Sequence, residues 1–203
     1  MLATRNDGKV REFLELMQGL PVQVYSLAAF PQIPVLPEEG STYTENAITK
    51  ALTVARMTGR VAIADDSGIE VDALGGGPGP FSNRFLTGGA NDTARNAKML
   101  KLLRGKSPAE RSARYRAVLA VALPDGDVRT FEGICEGQVL MSPRGSGGFG
   151  YDPIFYIPNE GKTMAQLSLA AKNRISHRAR ALGAAKPFLR RLAVGAPRSA
   201  RDA

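Results

Sequence analysis

The residue types best suited to chemistry stand together at positions 65–68, where Asp65-Asp66-Ser67-Gly68 follows the apolar run Val61, Ala62, Ile63 and Ala64. In α/β proteins ligands gather beyond the carboxyl ends of strands, so acids that end a strand are suited to hold a metal there. The same residue types also close strands as ordinary Asx turns, and taken alone the run supports either reading. A second acid pair, Glu38-Glu39, sits in a loop that Pro31, Pro34 and Pro37 force to be extended. Acids in such loops ordinarily do no more than solvate them. The turn Thr4-Arg5-Asn6-Asp7-Gly8-Lys9 precedes a helical pattern, and free backbone N–H groups with a helix dipole would face an anion there. It is not a Walker A loop, because the two-glycine spacing and the following Ser/Thr are absent.

Two further stretches complete the set. Residues 144–150 read RGSGGFG and run into Tyr151 and Asp152. A phenylalanine in a flexible glycine loop is poorly placed for a core and better placed to close over a flat ligand. Lys172, His177 and Arg178 then supply cationic donors. Carboxylates with phosphates as co-ligands suit Mg²⁺, which keeps several waters and needs only one or two protein carboxylates. A zinc site is disfavoured, because one His and one Cys cannot build a nitrogen/sulfur cage. Together these parts point to metal-assisted chemistry on a nucleoside polyphosphate.

The elements that must position these groups follow from periodicity. Val10, Phe13, Leu14 and Met17 recur at helical spacing after Asn6 or Asp7 as N-cap. Residues 22–27 read as a strand. Thr42-Tyr43-Thr44-Glu45 has capping-box spacing and opens a helix through about Thr58, ended by Gly59. The acidic strand follows, then a short strand through Ile69, Val71 and Ala73, a glycine-rich loop, and a helix capped by Asn91 or Asp92. Residues 115–123 and 128–140 form a hairpin around Pro124-Asp125-Gly126-Asp127, which argues for a mixed sheet. A short helix at 166–173, a break at 175–178 and a last helix at 180–192, with Pro187 inside it, complete the chain. At 203 residues the pattern implies one domain over 1–194, with 195–203 a disordered tail.

Bulk properties exclude several classes. Hydrophobic content of 43% and charged content of 23% are those of a globular protein, and no apolar run is long enough for a membrane span. The first residues lack the build of a secretion signal, and the single cysteine, Cys135, reads as core, so a cytoplasmic setting is expected. Nine Lys/Arg between 172 and 201 face one acid, Asp202, and carry the whole net charge of +8. That segment is either a nucleic-acid footprint, an anion-binding wall or a solvated helix face. Nucleic acid is the weaker alternative, because aromatics are few and the basic run reads as helical, not as a series of stacking residues set between basic ones.

Five motifs stand in one order: ATRNDGK at 3–9, TYTENAITKA at 42–51, ADDSGIEVDALGGGPGPFSNRF at 64–85, GGFGYDPIF at 147–155 and KNRISHR at 172–178. Through them the chain resembles the inosine/xanthosine triphosphate pyrophosphatase family over nearly its whole length. That family hydrolyses deaminated purine nucleoside triphosphates to the monophosphate and pyrophosphate. The resemblance implies an α/β fold, with a mixed twisted sheet, flanking helices and a smaller second lobe, and the nucleotide in the cleft between them. It implies Asp66 as general base and metal ligand, and Glu38 as the second Mg²⁺ carboxylate with Glu39 its rival. The turn of Thr4, Arg5, Asn6, Asp7, Gly8 and Lys9 would bind the triphosphate, and Ser67 would touch substrate beside the base. Phe149 would stack on the purine, with Gly150 and Tyr151 in the same loop, and Asp152 would orient the nucleotide. Lys172, His177 and Arg178 would recognise the base, and a homodimer is implied.

The departures from the family pattern are few. Arg5 replaces a small residue and either adds a phosphate contact or points to solvent. Ala170-Ala171 stands where acids are common, and Asn83 and Phe85 where Ala and Tyr are. Asp65 stays open between metal ligand, support and turn. A related reading keeps the fold and moves the substrate to modified pyrimidine nucleotides, as in the Maf-like pyrophosphatases.

Overall fold

The computed structural model describes residues 1–36, 38–86 and 91–195; Pro37, residues 87–90 and residues 196–203 of the expected tail lie outside the described residues, while Gly195, expected to begin that tail, ends a helix. Five strands form one sheet in the order β1 (Ala62–Val71), β2 (Ser112–Ala122), β3 (Val128–Val139), β4 (Phe155–Ile157) and β5 (Lys162–Thr163). Every ladder is antiparallel. The parallel contacts among the described residues are single bridges from Leu2 to Ser26 and to Ile63. β2 and β3 are the expected hairpin, closed by Leu123 N–H donating to Asp127 O at 2.8 Å.

Alternation along the strands dictates the layers. Ala62, Ala64, Val118 and Ala120 face α2 (Tyr43–Thr58) and meet Ala47, Ala51, Val54 and Ala55. Ile63, Ala117, Leu119 and Val121 face the other way, onto Phe13 of α1 (Asp7–Leu16) and onto Ala181, Leu182 and Ala185 of α5 (His177–Gly195). Gly133 lets α5 come close to β3: a Cβ there would stand 2.1 Å from His177 O and 2.4 Å from Ala181 N. A third cluster joins Ile69, Val71, Tyr115 and Phe155 to Met99 and Leu103 around α3 (Asp92–Leu102) and forms the smaller lobe.

Helix starts follow local side-chain chemistry. Asn6, not Asp7, caps α1 by accepting from Lys9 N at 2.9 Å. Both halves of the capping box at Thr42 and Glu45 are made, and Gly59 ends α2 in the left-handed region at φ +62. Asn91 caps α3, and Ser168 caps α4 (Leu169–Ile175).

Three expectations are corrected. Asp65, Asp66 and Ser67 do not end a strand; β1 runs unbroken through them, paired to Leu119, Val118 and Ala117. Acids persist there because each meets cationic partners on its own face of the sheet. Residues 22–27 form no ladder, only the bridge at Ser26 and a 3₁₀ turn at Leu27–Ala29. Their neighbour offers one pairing residue, Leu2, before the chain turns at Thr4 into α1. Finally, α5 starts at His177 instead of 180, because Ser176 Oγ accepts from Ala179 N at 3.2 Å and starts the helix early.

Candidate active site

Successive strand residues point to opposite faces, which separates the two adjacent aspartates of β1. Asp66 faces α2: its Oδ2 accepts from Asn46 Nδ2 at 3.1 Å and its Oδ1 pairs with Lys50 Nζ at 3.3 Å. Asp65 faces α1 and α5: its Oδ2 pairs with Lys9 Nζ at 2.7 Å and Arg178 Nε at 3.2 Å, and accepts from Ser67 Oγ at 3.1 Å. Burial pushes the Asp65 carboxyl up, but Lys9 and Arg178 overcome it and hold that carboxyl far below the ordinary range. At Asp66 burial wins, and the carboxyl stands above its usual value in spite of Lys50 and Lys9. Asp65 is thus a charged strut, and Asp66 is the better proton acceptor.

The open edge of β1 explains where the lysines gather. Ile63 uses its outward N–H and C=O on Met1 O and Ala3 N, at 2.8 and 2.7 Å. Past Ala3 the chain turns away. The next outward carbonyl, of Asp65, accepts instead from Lys50 Nζ at 2.9 Å and Lys9 Nζ at 3.3 Å. Both lysines border a cavity of about 310 Å³, together with Thr4, Arg5, Asn6 and Glu38. Glu38 Oε1 lies 2.7 Å from Lys50 Nζ, so one ammonium joins Glu38 to Asp66. Burial works against both charges, yet Lys50 holds Glu38 below its usual value, and Asp66 and Glu38 keep Lys50 above its own.

Beside Lys9 opens a second, narrower pocket of about 40 Å³, bordered by Ser67, Asn83, Phe149, His177 and Arg178. Beneath it runs a chain of buried ion pairs. Arg178 Nη1 meets Glu12 Oε2 at 2.9 Å, and Glu12 Oε1 meets Lys172 Nζ at 2.7 Å. Lys172 also pairs with Asp152, whose two oxygens accept from Tyr115 OH at 3.2 Å and Phe149 N at 3.0 Å. With Lys9 and Asp65 the chain holds three cations and three carboxylates, all buried. His177 stacks on Tyr115 with ring centroids 4.7 Å apart, and its Nδ1 has no partner among the described residues. The Phe149 ring lies 5.0 Å from both Lys172 Nζ and Arg178 Cζ. Its edge rests on Gly8, where a Cβ would come within 2.4 Å of the ring.

Most of the residues expected from the sequence converge on these two cavities. Thr4 Oγ1 accepts from Asn6 N at 3.2 Å and shapes the turn. Ser67 Oγ accepts from Arg178 Nη2 at 2.7 Å. Glu38, not Glu39, borders the phosphate-sized cavity; Glu39 is exposed. Asp7 is exposed in the first turn of α1 and borders neither cavity. Tyr151 borders the narrow pocket but is mainly core, with its hydroxyl donating to Ser82 O at 2.9 Å. Arg5 borders the wider cavity, and its guanidinium donates to Ile33 O at 2.6 Å and Leu27 O at 3.5 Å.

Sequence reading missed Lys50, Asn46 and Glu12, which are buried among the apolar stripes of α2 and α1. A charged or amide side chain on a buried helix stripe was the available signal. The helix α3 was expected, but not its role at the site, where its first turns hold the N–H and C=O of Gly150. Asp92 Oδ2 accepts from Gly150 N at 2.6 Å, and Asn96 Nδ2 donates to Gly150 O at 3.2 Å.

This architecture has known counterparts. A model of the Ham1 family matches residues 1–188. The chain is 50% identical over 194 residues to a dITP/XTP pyrophosphatase of Desulforamulus reducens, covering 96% of each. It is 48% identical to one of Geobacter sulfurreducens, over 93% of this chain and 95% of the relative. The fold superposes on that of a HAM1 protein from Coxiella burnetii with a TM-score of 0.83 and 39% identity, over 93% of this chain and 96% of that one.

Proposed function

The chain belongs to the Ham1 family, and from that premise we propose that it hydrolyses deaminated purine nucleoside triphosphates (ITP, dITP and XTP) to the monophosphate and pyrophosphate. The observation that carries this reading is the two-ended site. A cavity edged by Lys9, Lys50, Glu38 and the start of α1 suits a triphosphate, and it adjoins a narrow pocket with Phe149 and buried cationic donors.

Glu38 and Asp66 are the residues that would hold Mg²⁺. Their convergence on one ammonium supports the fit, and hard carboxylate oxygens suit that ion. Among the described residues no three His, Cys, Asp or Glu form a cage, so phosphate oxygens and waters would complete the coordination. When bound, the ion neutralises phosphate charge and makes phosphorus more open to attack. Thr4, Asn6 and Lys9 receive the phosphates at the N-terminus of α1. Asp66, with its raised pKa, takes the proton from the attacking water. Lys50, held charged by its two carboxylates, stabilises the negative charge that develops on the phosphoryl oxygens.

Base choice follows from donors and acceptors. Arg178 and Lys172 only donate, and hypoxanthine and xanthine present an O6 acceptor where adenine presents an amino donor. A site built on such a bond rejects the wrong partner by up to about 10⁴–10⁵-fold, because buried polar groups are left unpaired. A pocket of about 40 Å³ holds a few waters and no bicyclic base, so the Phe149 ring must swing before it can stack. A homodimer belongs to the proposal through the family resemblance, and a cytoplasmic setting through the single cysteine, Cys135, which is buried and free. No helix of the described residues is long and apolar enough to cross a membrane.

The deciding experiment is a nucleotide panel with and without EDTA, read by pyrophosphate release. We expect rapid turnover of ITP, dITP and XTP, slow turnover of ATP and GTP, and loss of activity with EDTA. Asp66→Asn should lower kcat by about 10²-fold or more with the fold intact. Orthophosphate as first product, or equal turnover of the standard triphosphates, overturns the reading. Preference for modified pyrimidine nucleotides moves the substrate class.

A further inference from the structure

Arg5 borders the phosphate cavity, yet its guanidinium points away from the turn that carries it, to the carbonyls of Ile33 and Leu27. The Ile33 carbonyl lies at the root of the loop that carries Glu38, and that of Leu27 in the 3₁₀ turn before it. Residues 34–36, 38 and 39 make no backbone–backbone hydrogen bond among the described residues, so the loop is held at its ends. At the near end Ile33 buries its side chain and accepts from Arg5 at 2.6 Å. At the far end Asn46 accepts from Gly40 N at 2.8 Å, while its own amide donates to Asp66 Oδ2 at 3.1 Å. Between these clamps Leu36 packs, partly buried, against the α2 side of the core, and Glu38 meets Lys50. Each clamp therefore joins the carboxylate loop to a different part of the site, Asn46 to the proposed base and Arg5 to the phosphate turn.

Resting on the function proposed above, we propose that Arg5 is a positioning residue for Glu38, tying the carboxylate loop to the phosphate turn so that divalent-cation affinity depends on a residue that does not touch the cation. A carboxylate on an untethered loop must be ordered at the moment it binds, and that entropy opposes binding. A charge-assisted bond to two carbonyls completes much of this ordering beforehand. Arg5 has five N–H donors in a planar fork and can serve both carbonyls, as a shorter or neutral side chain could not.

The test compares wild type, Arg5→Ala and Arg5→Lys by two readouts. One is Mn²⁺ binding, followed by electron paramagnetic resonance with a non-hydrolysable ITP analogue present. The other is the Mg²⁺ dependence of pyrophosphate release from ITP. We expect Arg5→Ala to weaken Mn²⁺ binding, and to raise the half-saturating Mg²⁺ concentration, by about three- to tenfold. Arg5→Lys should recover part of the loss, since an ammonium can still reach one carbonyl. If Arg5→Ala instead raises KM for ITP at saturating Mg²⁺ and binds Mn²⁺ as wild type does, Arg5 is a phosphate ligand and the proposal falls. If wild type itself neither binds Mn²⁺ nor needs Mg²⁺, the metal assignment of Glu38 and Asp66 fails first, and the proposal falls with it.

Discussion

His177 is the one histidine of the chain, buried against Tyr115 with Nδ1 unpartnered among the described residues. Burial, then the nearby Arg178, hold its pKa well below the usual 6.5. In the unfolded chain the ring takes up a proton as pH falls through about 6.5. The stability contributed by a neutral His177 is therefore whole above that pH and is lost below it, at up to about 1.4 kcal/mol per pH unit. Asp66 and Asp152, raised by burial, act in the opposite sense, since the folded state holds their protons more tightly and acid favours it. Comparing thermal midpoints of wild type and His177→Gln from about pH 7 to pH 5 separates the histidine from the carboxylates. The gap should narrow steadily as pH falls; parallel curves would show that the native ring titrates normally. At this scale the sequence was legible for residue type and poor for partners. The family resemblance singles out Asp66 and leaves Asp65 open, but the partners come only from their opposite faces of β1, Arg178 and Lys9 for Asp65 and Asn46 and Lys50 for Asp66.

Elements whose signals are local were legible: the capping box of α2, the cap of α3 and the β2–β3 hairpin each rest on side chains a few residues apart. The unbroken course of β1 was not, because its acids are tolerated only through cations from α1, α2 and α5. Nor was the part played by α3, since Gly150 lies 58 residues from Asp92 and 54 from Asn96. α3 holds both backbone polar groups of Gly150, the residue next to Phe149, and so anchors the backbone beside the ring. We expect Asn96→Ala to raise KM for ITP by about three- to tenfold with kcat near wild type. Steady-state kinetics will distinguish this from a fall in kcat at constant KM, which would assign the effect of α3 to the phosphate end.

At the scale of the molecule, the seat of α5 on β3 joins stability to recognition. A methyl at Gly133 would collide with backbone atoms of α5, not with side chains that could rotate away. Gly133→Ala should therefore cost roughly 1–3 kcal/mol, and it should weaken ITP binding as well, since His177 and Arg178 begin that helix. Denaturant unfolding with isothermal titration checks both, and loss of stability alone would show that the helix shifts as a unit without disturbing its first turn. The basic segment is also clearer at this scale. Lys172 and Arg178 are internal, matched by Glu12, Asp65 and Asp152, and are not part of a surface for nucleic acid. That matching has a consequence for fidelity. Lys9, Lys172 and Arg178 are already matched by three buried carboxylates, Glu12, Asp65 and Asp152, so on the proposed reading the base end adds no net attraction. Dissolved salt screens long-range attraction between exposed charges and hardly touches buried pairs. Rising ionic strength should then loosen the grip on every triphosphate alike while leaving the choice between one base and another where it was.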